Sequence, residues 1–213
     1  MKKGARSHGG TKIHPTTVPN WNRHLIDLGM AIAKISYAEQ AVILRGWKSE
    51  LDRQSIADEK RGRPMLAHQL FVAGVVLKYA AEGMTDVSQK FPSVGMARIP
   101  RWKKSPTQLG KAIGRLRYDK QIDVILGWRV ELKRRYWARP KTTRLREDSE
   151  VVTYVTSHDH ALWQTGMRLG GLRLALEDLF TLCKPHMEHE FLLEAERLRR
   201  ATGKCLKRRQ NRT

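Results

Sequence analysis

The sequence has only two cysteines among its 213 residues, Cys183 and Cys205. They cannot form the dense disulfide framework of a small secreted domain, so we expect a reducing compartment and a cytoplasmic location. The sequence also lacks an apolar run of the roughly 18 residues that cross a bilayer. Its longest apolar stretch, which begins at Leu70, is broken by Lys78. This pattern predicts a protein without a membrane partner.

Enzyme signatures are missing as well. The sequence contains no P-loop and no GxSxG, HExxH or CxxC motif. The adjacent carboxylates Glu177 and Asp178 would point about 100° apart on a helix and so do not form a metal pair. Cys183, His186 and His189 are spaced by three residues, but a proline interrupts them and zinc would need a fourth ligand. We therefore predict a non-catalytic protein that uses no cofactor and no metal.

Positive charge is what the sequence has in excess, with 41 Lys and Arg against 21 Asp and Glu and a net charge of +20. The charge is concentrated in residues 97–147, with 16 basic and four acidic residues, and near both ends of the sequence. Such an excess repels itself in a compact fold, so an anionic partner is expected to offset it. Nucleic acid is the commonest such partner, and we favour DNA over RNA.

Apolar residues recur at helical spacing through most of the sequence, which predicts a mainly α, compact multi-helix bundle. Ser36 and Glu39 match a capping box at a helix start. Pro64 and Pro106 suit the first turns of two further helices, and the first of these is expected to end at Gly83. The pattern shows neither an internal repeat nor a sustained heptad.

The domain organisation follows from charge and periodicity. We expect one helical domain over residues 19–206, with a sub-boundary at the polar, basic stretch 138–149. Basic tails at residues 1–18 and 207–213 lack apolar periodicity and are expected to be mobile. Inside the domain, residues 55–61 are predicted to form a short separate helix.

The segment Arg61-Gly62-Arg63-Pro64 matches the core of an AT-hook, whose arginines lie in the narrow minor groove of A·T-rich DNA. Acidic residues precede it and an apolar helix follows, which favours a turn in which Gly62 ends one helix and Pro64 begins the next. Residues 55–71 also match a degenerate helix-turn-helix pattern. Under each interpretation Arg61 and Arg63 are candidate contacts to nucleic acid.

The basic segment at residues 97–147 is the strongest candidate for a binding surface. Arginine and lysine neutralise phosphates, and an exposed tryptophan can stack on a base. Helical spacing would bring several of these cations onto common ridges. The alternative is a solvated helix face with the tryptophans in the core. The candidate contacts are Arg98, Arg101, Trp102, Lys103, Lys104, Lys111, Arg115, Arg117, Arg129, Lys133, Arg134 and Arg135.

These features predict a non-catalytic nucleic-acid-binding protein, namely a DNA-binding transcription regulator of the phage or plasmid type. It would dock electrostatically through residues 97–147 and the basic tails. The alternative is a structural RNA- or DNA-binding subunit of a nucleoprotein assembly, which would also have protein partners. Examples are a ribosomal protein, the small subunit of an RNA-guided complex or a coat protein. An enzyme that acts on nucleic acid is the third alternative.

Overall fold

The computed structural model describes residues 14–90, 99, 102–137 and 163–182, which form six helices and no strand. The mainly α, multi-helix prediction is therefore confirmed. In chain order the helices are α1 (Leu25–Lys34), α2 (Tyr37–Lys60), α3 (Pro64–Lys90), α4 (Pro106–Gly114), α5 (Tyr118–Trp137) and α6 (residues 163–182).

Local sequence signals set several helix boundaries as predicted. At the start of α2, the Ser36 hydroxyl oxygen accepts the Glu39 backbone N–H, as in the expected capping box, and the Glu39 carboxylate accepts from the Ser36 hydroxyl instead of from the backbone. At the start of α4, Ser105 caps the helix and Pro106 occupies its first turn. Gly62 has a φ of 71°, which residues with a side chain rarely adopt, and it forms the turn between α2 and α3.

Three predicted boundaries are wrong. The predicted separate helix at residues 55–61 does not form, because α2 continues through this segment and ends at Lys60. The Ser55 hydroxyl donates to a backbone carbonyl of α3. α3 passes Gly83 and ends at Lys90, and the guanidinium of Arg168 from α6 packs against this glycine. The predicted tail at residues 1–18 extends too far, since Val18 is buried in the core.

α2 and α3 form an antiparallel αα-hairpin. Ser55 bonds to Ala67 near the turn, and at the far end the Arg45 guanidinium donates to the Thr85 hydroxyl. The two helices therefore stay paired along their lengths, whereas the helices of a helix-turn-helix cross at roughly 90–120°. The helix-turn-helix prediction at residues 55–71 does not hold, because this segment is the closed end of a long hairpin.

α3, with 27 residues, is the longest helix of the described residues. By length and composition alone its 27 residues could cross a membrane, a test that the core helices of soluble proteins also pass. The apolar window of α3 is thus longer than the stretch predicted from the sequence. In the structure one face of α3 packs along α2, with Leu70, Leu77 and Met84 fully buried.

The chain contains an internal duplication, so the prediction of no internal repeat is wrong. Residues 25–54 (repeat 1, LIDLGMAIAKISYAEQAVILRGWKSELDRQ) align without a gap with residues 106–135 (repeat 2, PTQLGKAIGRLRYDKQIDVILGWRVELKRR). Eleven of the 30 positions are identical, at a constant offset of 81 residues. Each repeat consists of a short helix, a tight turn and a long helix, so α1 and α2 correspond to α4 and α5.

The two repeats interlock. The short helix α1 of repeat 1 packs on α5 of repeat 2, and α4 packs in the same way on α2. Both crossings are so close that only glycine fits: a methyl group added at Gly29 would lie 2.6 Å from the Trp128 nitrogen, and one at Gly110 would lie 2.7 Å from the Trp47 nitrogen. Each contact is the counterpart of the other at the same offset, so a pseudo-twofold axis relates the repeats.

Buried polar side chains also join the repeats reciprocally. The Trp47 indole N–H donates to the Gln121 amide oxygen at 2.8 Å, and the Trp128 indole N–H donates to the Gln40 amide oxygen at 3.0 Å. The amide nitrogen of each glutamine donates to the turn before its own helix. Each turn is thus fixed by a side chain that the opposite repeat holds in place.

α6 packs on the long helix of repeat 2 in the way that α3 packs on the long helix of repeat 1. Lys48 of α2 lies beside Gly74 of α3, and its counterpart Arg129 of α5 lies beside Gly170 of α6. α6 also packs on α3, where the Arg168 guanidinium donates to a backbone carbonyl. The described residues therefore form one bundle in which a helix follows each repeat and closes its outer side.

Candidate nucleic-acid interface

The duplication separates the cations that the fold requires from those that it does not. Repeat 1 has four basic and four acidic residues, whereas repeat 2 has eight basic and three acidic ones. At one position, Arg45, a basic residue of repeat 1 has the apolar counterpart Leu126 in repeat 2. At five positions repeat 2 is basic where repeat 1 is neutral or acidic: Lys111 for Met30, Arg117 for Ser36, Lys120 for Glu39, Lys133 for Asp52 and Arg135 for Gln54.

Arg115 is held by a buried carboxylate of the opposite repeat. Glu50 is only 2% exposed, and it pairs with Arg53 of its own helix and with the Arg115 Nε at 3.4 Å. Burial raises the pKa of Glu50, but the hydrogen bond and charge of Arg53 and the charge of Arg115 outweigh it and leave the pKa below its ordinary value. Arg115 therefore neutralises a core carboxylate, although its own side chain is 57% exposed. The role of Arg53 as a partner of Glu50 was not predicted from the sequence, although the alignment of Arg53 with Arg134 indicates it.

Arg134 and Arg135 surround the equivalent carboxylate of repeat 2, which is the buried side chain of Glu131. Arg134 donates from Nε and Nη2 to the two carboxylate oxygens at 2.8 and 2.7 Å. That hydrogen bond lowers the pKa of Glu131 against the effect of burial, and Lys34, the counterpart of Arg115, adds to the lowering. Both predicted contacts thus have a structural role in the free protein.

Arg117 is compensated locally. Its Nε and Nη2 donate to the two carboxylate oxygens of Asp119 at 2.8 and 2.5 Å. Burial raises the pKa of Asp119, but Arg117 and the charge of Lys120 hold it below its ordinary value. The Arg117 side chain is mostly covered, so it adds little to the external positive charge.

Four predicted lysines point to solvent without a partner among the described residues. Lys103 and Lys104 precede α4, Lys111 lies on its outer face, and Lys133 lies near the end of α5. Within the part of the chain that the structure covers, they form neither a hydrogen bond nor an ion pair. Their charge is available to an anion.

Arg129 and Lys133 form the most unusual arrangement of the surface. Their repeat-1 counterparts, Lys48 and Asp52, make an ion pair across one helical turn. In repeat 2 the same two positions hold two cations, and like charges at this spacing destabilise a helix by a few tenths of a kcal/mol. The Arg129 guanidinium is half-buried against α6, where a methyl group added at Gly170 would lie 3.5 Å from Nη2.

Trp102 is placed by the fold. Its side chain is half-buried against the core and its indole N–H donates to the Ser105 carbonyl at 3.2 Å, beside the start of α4. Trp128 is fully buried. Both tryptophans therefore fit the alternative in which they belong to the core, and the buried Trp128 cannot stack on a base.

Arg61 and Arg63 flank the α2–α3 turn and are exposed. Both guanidiniums approach the Asp58 carboxylate, at 3.5 and 3.6 Å. The predicted turn with Gly62 as its pivot is confirmed. Two arginines on one carboxylate leave one positive charge in excess at this end of the hairpin.

The described part of the chain begins at His14, which contacts the turn between α4 and α5. A ring nitrogen of His14 lies 3.1 Å from the Arg115 carbonyl oxygen, and the Arg117 backbone N–H donates to the Pro15 carbonyl at 3.0 Å. Lys12 and three further basic residues precede His14 in the sequence. The chain therefore enters the described fold at the turn between α4 and α5.

Some predictions lie outside the described residues. These are Arg98, Arg101, the metal candidates Cys183, His186 and His189, the sub-boundary at 138–149 and the tail at 207–213. Among the residues that are described, no group of His, Cys, Asp or Glu side chains could hold a metal ion.

Comparisons with known proteins give no match. No protein-family model matches the sequence, and neither the curated proteins nor the solved structures contain a match to the chain.

Proposed function

We propose that the protein binds nucleic acid, with duplex DNA favoured, through five cations. They are Lys103 and Lys104, which directly precede repeat 2, and Lys111, Arg129 and Lys133 within it, and we call them together the repeat-2 surface. The observation that carries this proposal is the charge difference between the repeats. Repeat 1 builds the same helices with Met30 and Asp52 at the positions of Lys111 and Lys133, so these two additional cations of repeat 2 are not needed for folding. An anionic partner supplies a reason for them.

The physical basis is the release of counterions from phosphates. Each lysine or arginine that neutralises a DNA phosphate makes the slope of log K against log salt steeper by about 0.9. Five cations give a salt-dependent attachment of moderate strength, to which the four basic residues that precede His14 in the sequence could add charge. We propose a regulatory, non-catalytic role, because phosphate contacts of this kind position a protein on DNA.

The second candidate function is that of a structural subunit in a nucleoprotein assembly. It is favoured by large apolar side chains that are exposed on α3 and α6, among them Phe71, Tyr79, Met167 and Leu174. Apolar side chains grouped on a surface are typical of contacts with other proteins. A subunit of this kind would use the repeat-2 surface for nucleic acid and the α3 and α6 side chains for its neighbours.

The test is a titration of the whole protein with duplex DNA and with single-stranded RNA of equal length at several salt concentrations. A DNA-binding regulator is expected to prefer some duplex sequences at near-physiological salt, where specific binding exceeds non-specific binding by at least about 10³-fold. Equal binding of RNA without a preferred duplex would favour the assembly subunit. Absence of binding to both at low salt would contradict nucleic-acid binding altogether.

A further inference from the structure

The outer side of each repeat has the same construction, in which a long helix meets a glycine of the helix that follows. In repeat 1, the Asp52 carboxylate fills the space at this point: its Oδ1 lies 2.9 Å from where a methyl group at Gly74 would be, and it pairs with Lys48. In repeat 2, the guanidinium of Arg129 lies against Gly170, and Lys133 replaces the aspartate. The contact between the long helix and the glycine is kept in repeat 2, but a lysine replaces the acidic side chain.

We propose that a phosphate group binds at this point of repeat 2 and supplies the negative charge that the Asp52 carboxylate supplies in repeat 1. Arg129, whose guanidinium lies against α6 at Gly170, and Lys133 would hold it. This inference rests on the proposed function, because the phosphate is that of a nucleic-acid backbone, and it deepens that proposal by naming one contact. Carboxylate and phosphate oxygens accept the same donors, and a guanidinium presents a fork that fits both.

Three observations support the site. Two cations one helical turn apart repel each other, and a bound anion converts the repulsion into attraction. Arg129 is half-buried and has no ion-pair partner among the described residues, so it is less screened by water than a fully exposed lysine. Gly170 has no side chain, so the Arg129 guanidinium packs on α6 and is held there in position for an anion.

The decisive variant is Lys133→Asp, which installs the repeat-1 residue. The introduced aspartate would pair with Arg129, as Asp52 pairs with Lys48. We expect its thermal midpoint to rise relative to the natural protein, while the slope of log K against log salt for duplex DNA falls by about 2. A residue with only a structural role would not move stability and binding in opposite directions. Lys133→Arg is the conservative variant and should retain binding.

Inorganic phosphate distinguishes the site from the rest of the surface. It is expected to raise the thermal midpoint of the natural protein and to have no such effect on Lys133→Asp, whereas Lys111→Met, on α4, should respond like the natural protein. A phosphate effect that persists in Lys133→Asp would place the ion elsewhere and overturn this inference. An unchanged DNA salt slope in Lys133→Asp would overturn it as well.

The two proposals can fail separately. If the natural protein binds duplex DNA but Lys133→Asp binds it with the same slope, nucleic-acid binding stands and the phosphate site does not. If phosphate stabilises the natural protein through Lys133 but no duplex DNA is bound at low salt, the anion site stands and nucleic-acid binding does not.

Discussion

The Trp47 indole N–H of repeat 1 donates a 2.8 Å hydrogen bond to the Gln121 amide oxygen of repeat 2, and both side chains are fully buried. The equivalent bond joins Trp128 to Gln40. Since each repeat supplies one donor and one acceptor to the other, neither repeat has a complete core alone. The whole protein is thus expected to unfold as one cooperative unit.

Gln121→Leu tests this reciprocal bond. The variant keeps the volume of the side chain but removes the partner of the Trp47 N–H and of the Leu116 carbonyl in the core, while the Gly114 carbonyl keeps its hydrogen bond from Gln54. We expect the free energy of unfolding to fall by about 2–3 kcal/mol, the cost of buried groups without a hydrogen bond. Chemical denaturation measures it, and Gln108→Leu on the exposed face of α4 is the matched control. A loss below about 0.5 kcal/mol would show that the bond does not hold the repeats together.

Gly110→Ala tests the close crossing of α4 and α2. The added methyl group would lie 2.7 Å from the Trp47 nitrogen, and a backbone atom cannot move aside without shifting the helix. We expect a loss of at least about 2 kcal/mol from overpacking. Gly166→Ala in α6 meets no atom within 4 Å and should be neutral or stabilise by up to about 1 kcal/mol. Similar midpoints for the two variants would contradict the interlocked packing.

Acid should destabilise the protein through its buried glutamates. Glu131 has a pKa below the ordinary value of about 4.3 for Glu. A carboxylate with a lowered folded pKa contributes stability above its unfolded pKa and loses it as the pH falls through the folded pKa. The thermal midpoint of Glu131→Gln should therefore lie below that of the natural protein at pH 7, and the difference should shrink below about pH 4. The exposed Glu82→Gln should show no such change, and a gap for Glu131→Gln that persisted at low pH would argue against the ion pair.

Lys103 and Lys104 are expected to contact phosphates directly. Changing both to Ala should flatten the salt dependence of duplex DNA binding by about 2 units, because two counterion-releasing contacts are lost. Stability should stay the same, since both side chains are exposed and unpaired among the described residues. Lys60 and Lys90 changed together to Ala remove the same charge from α2 and α3 and serve as the control. If the control flattened the salt dependence of duplex DNA binding as much as the Lys103 and Lys104 variant did, the proposed phosphate contacts of these two lysines would be contradicted.

Local features of the fold could be predicted from the sequence because their causes are local. The Ser36 capping box, the turn at Gly62 and the helix starts at Pro64 and Pro106 each depend on a few neighbouring residues. The pairing of α1 with α5 depends on residues about a hundred positions apart, and helical periodicity does not encode partners. The duplication does indicate which helices are partners, and it is visible in the segments GWKSELDR at 46–53 and GWRVELKR at 127–134. A search for helical faces misses it because such a search treats each helix separately.

The binding residues were predictable as a group but not one by one. Arg117 and Lys111 look equivalent in the sequence, yet Arg117 is neutralised by Asp119 and Lys111 is free among the described residues. Which cations serve the fold depends on the buried carboxylates Glu50 and Glu131. The burial of these two glutamates depends on tertiary packing. It can be predicted from the sequence only after the repeats are aligned, because the two glutamates then occupy the same position.

The central claim is that repeat 2 carries a binding charge that its fold does not need. The most direct test is the double variant Lys111→Met and Lys133→Asp, which places the repeat-1 residues on the repeat-2 surface. Its control removes the same three units of charge from α2 and α3 through Lys60→Gln, Lys78→Gln and Lys90→Gln. The double variant is predicted to fold stably and to lower the salt slope of duplex DNA binding by about 3, while the control changes it by less than about 1. Equal slopes for both variants would contradict the claim.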